Sequence, residues 1–480
     1  MTSAVLSRRP TPGRLIPLAL LALTTLTGLV AGVQPPVGVA MACALIFLLV
    51  ASWDLALGVC GFVLLAPLDV ISSNSDVSLT KGAGAVLVLA WVGAVATQGR
   101  QKRSLVAAQP WLTGFLVGFI TWSALSAIWA ESTGGAYRST LRFALNAMLF
   151  PIVYLAVRER RHVLWILAIF VLGAQLSVLW GFAVGPGTSS AVTQADAASG
   201  RLTGARADSN VLATLLLVST VFAAALAIVL RRRVPLAAPV AMAAAVFGVI
   251  ALFATFSRGG VVALVVAVLV GIAYGGRWRK AMAMLGLTAV LVGAVYVLGA
   301  AGGGGGATRL LNSSTSGRSS IWTVGWRMVT ANPVIGVGSG NYTIAEPHYL
   351  LTAPGLIQDD QFIIDTPYVA HNVYLHILAE MGAIGLFLFL GVLGLSIAAA
   401  MRAVRIAEQR DDHMLEALGR ALVIALAGML AADFFVSEQF SKQLWLLLAL
   451  CPALLSIAQQ APEPRAPSRA ALDRRAVSTR

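Results

Sequence analysis

The chain has 480 residues, 58% hydrophobic and 11% charged, with a mean hydropathy of +0.84. Soluble domains carry about 25% charged residues, so this chain lacks the charge to cover a water-facing surface, and it is too apolar to be disordered. Its net charge of +14 sits in short clusters between apolar runs, a pattern that orients membrane spans rather than gripping nucleic acid.

Taken in chain order, apolar runs predict spans at 15–33, 37–52, 55–71, 82–97, 111–129, 141–157 and 163–184. They continue at 210–230, 236–256, 260–275, 281–300, 371–400, 419–436 and 442–458. The expected fold class is therefore all-α, a polytopic membrane helix bundle of 12–14 transmembrane helices with one large periplasmic loop. The lower count allows for the shortest runs and the tight connections within 15–71. Arg8, Arg9 and Arg14 before the first run also fit a signal peptide. No A-x-A site follows, only Gly32-Val33-Gln34-Pro35-Pro36, so the run reads as a retained span. Cys43, Cys60 and Cys451 lie in or at the ends of apolar runs without metal-ligand spacing and read as packing residues.

Basic residues orient the spans. Clusters at 8–14, 100–103, 158–161, 231–233, 277–280, 402–420 and 465–480 all fall on one side of a fourteen-span arrangement, which makes that side and both termini cytoplasmic. Lys81, Arg138, Arg142, Arg201, Arg206, Arg258, Arg309, Arg318, Arg327 and Lys442 remain for the other side. The organisation expected is N-terminal spans over 1–209, a core over 210–400 that includes the loop 301–370, C-terminal spans over 401–460 and a basic cytoplasmic tail over 461–480.

Two segments face outward, 185–209 and 301–370. The second opens with Gly302 to Gly306, which lacks the Lys-Ser/Thr of a phosphate loop. A helix is predicted over 317–331, with Ile321, Trp322, Val324 and Met328 forming a face on or near the membrane surface. A turn-rich stretch over 332–342 follows, then an acidic-aromatic portion leading to His371. A loop this long is usually a lid or binding element.

Among the outward polar residues, Arg258 stands at a junction between spans, Arg318 opens the loop helix and His371 stands at the outer start of a long apolar helix. Each has a bland reading: lipid-phosphate contacts for the arginines, an interfacial cap for the histidine. The helix dipole disfavours an imidazolium at His371, leaving the ring neutral and able to take a proton. His376 lies off the face of His371, so no two-histidine metal site is expected. Glu380 lies about 13 Å deeper along the helix and needs a partner or water there. Asp433, near another outer helix end, carries the same ambiguity.

The string His371-Asn372-x-x-Leu375-x-x-Leu378-x-Glu380-x-Gly382-x-x-Gly385 resembles the hallmark of the O-antigen ligase and polymerase superfamily. So do Ser257-Arg258-Gly259, Gly317-Arg318-x-x-Ile321-Trp322 and Asn332-Pro333-x-x-Gly336-x-Gly338-x-Gly340-Asn341. Arg201-Leu202-Thr203-Gly204 with Asp208-Ser209-Asn210 resembles the family's Arg-x-x-Gly…Asp-Pro-Asn segment, with Ser209 in place of proline. The order and spacing match over residues 200–390.

The resemblance implies a metal-independent membrane glycosyltransferase without cofactors, in a bacterial inner membrane with its site on the periplasmic face. Its partners would be an undecaprenyl diphosphate-linked glycan donor, a lipid A–core or glycan acceptor, and membrane lipids. Arg258 and Arg318 would hold the donor diphosphate and His371 would serve the acceptor hydroxyl. Arg201, Arg206, Asn210, Asn372 and Glu380 are the supporting candidates. A repeat-unit polymerase would use the same residues. A polysaccharide transporter or flippase, and a scaffold with a degenerate site, are the readings from other classes.

Overall fold

A computed structural model describes residues 12–68, 79–97, 103–184, 200–205, 208–231, 234–300, 318–351 and 369–460. Among these, every predicted apolar run is helical and no strand occurs. The helices are α1 (Pro12–Val33), α2 (Pro35–Trp53), α3 (Leu55–Leu65), α4 (Leu79–Thr97), the short α5 (Leu105–Ala108) and α6 (Pro110–Leu125). They continue with α7 (Thr133–Ala147), α8 (Leu149–Ala156), α9 (Arg160–Val184), α10 (Ser209–Leu230), α11 (Ala237–Ala254) and α12 (Arg258–Tyr274). The last are α13 (Arg279–Ala300), α14 (Arg318–Ala331), α15 (Tyr342–Leu351), α16 (Val373–Gln409), α17 (His413–Ala432) and α18 (Lys442–Gln460).

Among the described residues ten helical segments are long and apolar enough to cross a bilayer, and four shorter apolar helices accompany them, so this is an all-α polytopic membrane protein. Helices apolar on all sides sit at the centre. α10 packs against α9, α11, α12 and α17, with Leu212, Leu216 and Val218 fully enclosed. α17 and α18 join it, and Trp445 of α18 contacts Phe119, Phe143 and Phe150 from α6, α7 and α8. α4 and α13 lie outside and turn most of their apolar residues away from the bundle.

Three boundaries differ from the hydropathy pattern. The run predicted at 141–157 starts as a helix at Thr133, N-capped by Ser132, whose Oγ accepts from Gly135 N at 3.1 Å. It breaks after Ala147 because Pro151 cannot donate to the Ala147 carbonyl and its ring crowds that group. α16 runs past residue 400 to Gln409, since Arg, Ala and Glu prolong a helix and Ala403, Val404 and Ala407 remain buried. α17 starts at His413 rather than 419, capped by Asp412. Its Arg420 is counted with the basic surface clusters by position, yet it is buried among Glu416, Glu408 and the Tyr274 carbonyl.

α16 is broken at Gly382 (φ 64°, ψ −170°), a conformation that only glycine adopts readily. The loop after α14 lies along the break and satisfies the freed carbonyls. Val337 N donates to Ala379 O (3.0 Å), Gly338 N to Glu380 O (2.8 Å) and Trp122 Nε1 to Met381 O (2.9 Å). Ala383 N in turn donates to Pro333 O at 2.9 Å. A side chain at Gly382 would collide with the Val334 backbone, so the glycine provides both the turn and the close approach.

The face of α14 is also corrected. Ile321, Val324 and Met328 do not lie on a membrane surface; they are buried with Tyr342, Ala345, Leu350, Ala370 and Ala379 in a small second core. Periodicity revealed an apolar face, but its cover is α15 and the start of α16. α15 itself falls partly in the turn-rich stretch and partly in the acidic-aromatic portion, where no helix is expected.

Candidate functional site

The junction between α11 and α12 supplies Arg258. Ser257 caps α12, accepting from Gly260 N at 3.2 Å, so Arg258 is the first helical residue and stands at the positive end of the dipole. Phe256 before it has φ 49°, a left-handed value for a bulky residue. A brace behind the turn over-determines that geometry. Arg201 is buried, with Nε donating to Thr255 O (2.8 Å) and Nη2 to Asn210 Oδ1 (3.0 Å). Ser257 Oγ donates to the same Asn210 oxygen at 2.9 Å. Arg201 and Asn210 therefore hold the turn that presents Arg258.

With Ser209 in place of proline the helix start is still capped. Asp208 is the N-cap of α10, accepting from Asn210 N (2.6 Å) and Val211 N (3.3 Å). Ser209 is then the first helical residue, the position where proline and serine are both tolerated.

His371 is not within the helix that its sequence position implied. It has φ 46° and precedes Asn372, which caps α16 by accepting from Tyr374 N and Leu375 N, both at 3.0 Å. The imidazole thus sits half-buried on a turn at the mouth of the helix. Among the described residues three non-glycines have positive φ; two of them, Phe256 and His371, flank this site. Strain of this kind collects where a side chain must be aimed.

The two turns meet across residues 433–435, which end α17. Val373 N donates to Asp433 O at 2.8 Å, tying the start of α16 to that turn. On its other flank, a β-carbon at Gly259 would lie 2.8 Å from Phe435 Cβ, so the start of α12 packs directly against it. Tyr374 Oη donates to Leu430 O (2.8 Å), and its ring lies 4.5 Å from that of Phe434. Arg258 and His371 thereby stand on opposite sides of one three-residue turn. α14, which Arg318 opens, is tied in one turn later, where Trp322 Nε1 donates to Ala370 O at 2.9 Å. The side chain of Arg318 and all of Arg206 lie outside the described residues.

Asp433 is the participant that sequence reasoning left ambiguous. Its side chain is buried, Oδ2 has no hydrogen-bond partner, and burial, reinforced by Glu438, pushes the carboxyl well above the usual range. Only its position at a helix end was visible in the sequence.

Glu380 is tied to the loop and to its own helix. It is buried 3.2 Å from His376 Nε2 and accepts from Tyr342 N at 3.1 Å. The Tyr342 ring stacks on His376 at 5.0 Å, and burial beside Glu346 and Glu380 raises the phenol. An open groove of about 580 Å³ is lined by Trp322, Trp326, Arg327, Tyr374, Leu378 and by Asn372, the residue after His371. Among the described residues no group of three or more His, Cys, Asp and Glu side chains converges as a metal site would require.

Residues 243–390 match the family model described as O-antigen ligase. The superfamily read from the motifs is borne out over that segment, which includes Arg258, Arg318, His371, Asn372 and Glu380 and stops short of Arg201, Arg206 and Asn210. No curated protein matches the chain.

Proposed function

We propose, from the match of residues 243–390 to the O-antigen ligase family model, that the protein is a membrane glycosyltransferase. It moves a preassembled glycan from undecaprenyl diphosphate to an acceptor hydroxyl, at the periplasmic face of a bacterial inner membrane. The observation that supports the reading is that Gly259, next to Arg258, and Val373, two residues after His371, both pack against the 433–435 turn.

The chemistry follows from those groups. The acceptor oxygen attacks the anomeric carbon while its proton passes to the neutral His371 imidazole. The bond from that carbon to the diphosphate breaks, and undecaprenyl diphosphate departs with the electron pair. Negative charge grows on the leaving group, where a permanently protonated Arg258 at a helix N-terminus stabilises it and Arg318 adds a second guanidinium. The diphosphate linkage supplies the driving energy, so no nucleotide enters. A single displacement inverts the anomeric centre. Rings of Trp322, Trp326 and Tyr374 along the adjoining groove offer flat apolar faces for the donor or acceptor sugars.

One observation weighs against a transporter. Transporters use broken helices to offer free carbonyls to ions near the midplane. Here the carbonyls freed at Gly382 are taken up by the loop and by Trp122.

The test is transfer by the purified protein given lipid-linked glycan and candidate acceptors, with Arg258→Ala, Arg318→Ala and His371→Ala compared. Loss of transfer in each variant is the expected result; unchanged transfer in all three rejects the assignment. The product also distinguishes a ligase, which extends a lipid A–core sugar, from a polymerase, which extends another repeat unit.

A further inference from the structure

The basic residues outside the cytoplasmic clusters do not all attend the His371 turn. Lys81, Arg142 and Lys442 line a second, half-open cavity of about 460 Å³ between the start of α4, the middle of α7 and the start of α18. Its wall is otherwise apolar, with Phe62, Leu87, Leu149 and Ile152 among the lining residues. Leu145 also lines it and is 55% exposed on the bundle's outer surface, so the cavity opens sideways toward lipid.

Arg142 is the informative member. It belongs to a segment, Thr133–Ala156, that is long and apolar enough to cross a membrane. Its guanidinium lies 4.0 Å over the Phe440 ring and makes no hydrogen bond or ion pair among the described residues. The stacking is built, because Asn146 Nδ2 donates to Phe440 O at 3.0 Å and fixes the ring on α7. Glu438 supplies a nearby opposite charge, and the exposed side of the guanidinium keeps donors that an anion or water can take. Lys442 Nζ donates to the buried Thr80 Oγ1 at 2.7 Å, which aims a second cation along the same wall. Among the described lining residues Glu438 is the one acid beside three basic side chains.

We propose that this cavity binds the phosphate of an anionic lipid, with the acyl chains leaving past Leu145 into the bilayer. Phosphate matches the planar fork of Arg142 and the point charges of Lys81 and Lys442, and the apolar wall suits the first carbons of the tail. The cavity is lined by residues other than those of the 433–435 turn, with segment 433–443 joining the two, and the proposal does not rest on the transferase reading.

Native mass spectrometry of the full chain in neutral detergent tests this. The probes are short-chain phosphatidic acid, phosphatidylcholine of the same chain length and inorganic phosphate. Arg258→Ala serves as the background, so that the other cationic end does not contribute. Phosphatidic acid is expected to bind about tenfold more tightly than either other probe, and Arg142→Gln and Lys81→Gln each to weaken it about tenfold. Lys81 is exposed, so Lys81→Gln is the second variant that keeps the test open if Arg142→Gln does not fold. Equal binding of inorganic phosphate and phosphatidic acid overturns the lipid assignment. Undiminished lipid binding in the variants that fold overturns the site.

Discussion

At the scale of single residues, the account separates groups that meet substrate from groups that aim them. His371→Ala should slow transfer by about 10²–10⁴-fold with donor affinity nearly kept, whereas Arg258→Ala should chiefly weaken donor capture; donor binding and turnover measured separately distinguish the two. Asn210 lies behind Ser257 and Arg201, so Asn210→Ala should reduce transfer less than Arg258→Ala does. Asp433 carries a pH prediction. Its folded-state carboxyl titrates above the usual range, so the unfolded chain ionises first as pH rises and the folded state is penalised from that point upward. Asp433→Asn should therefore gain stability over the wild type at neutral pH and none at low pH, read from denaturation midpoints in detergent. What the sequence disclosed at this scale was identity rather than posture. Arg258, Arg318 and His371 are legible as polar residues beside apolar runs, but the positive φ of Phe256 and His371 belongs with the brace and the 433–435 turn. Those are tertiary constraints, and no local pattern encodes them.

At the scale of elements, the decisive feature is the interrupted α16. Its apolar run reads as continuous because glycine is common in membrane helices and leaves hydropathy unchanged. Gly382→Ala must adopt a backbone closed to L-residues and displace the Val334 carbonyl, so a loss of about 2–4 kcal/mol is expected, with the loop released from α16. Asn372→Ala removes the cap of α16 and should cost about 1 kcal/mol. A sensitive readout for both is protease susceptibility of the loop containing α14 and α15. That loop was the least legible part of the chain. The amphipathic pattern of 317–331 found its helix, but the partner of its apolar face is assembled from residues 342–379, which are distant in sequence. Composition distinguishes a lipid-facing stripe from a protein-facing one poorly, since both are apolar.

For the whole molecule, hydropathy served best. Among the described residues each of the fourteen apolar runs holds a helix, because crossing a bilayer demands a length and composition that sequence displays directly. Orientation rests on the basic clusters alone. A fourteen-span arrangement puts the loop end outside, so a phosphatase fused after Gly306 should be active in the periplasm and a C-terminal fluorescent protein should fold in the cytoplasm. The reverse pattern would place the site away from its donor's glycan. Charge stabilisation by arginines and a helix N-terminus also predicts that chelators leave transfer unaffected.

The most direct measurement is single-turnover transfer by His371→Gln at saturating donor, with donor affinity determined in parallel. The account predicts a chemical step slowed by about 10²-fold or more and a donor Kd within about twofold of wild type. An unchanged chemical step, or loss of donor binding with the step intact, would contradict it.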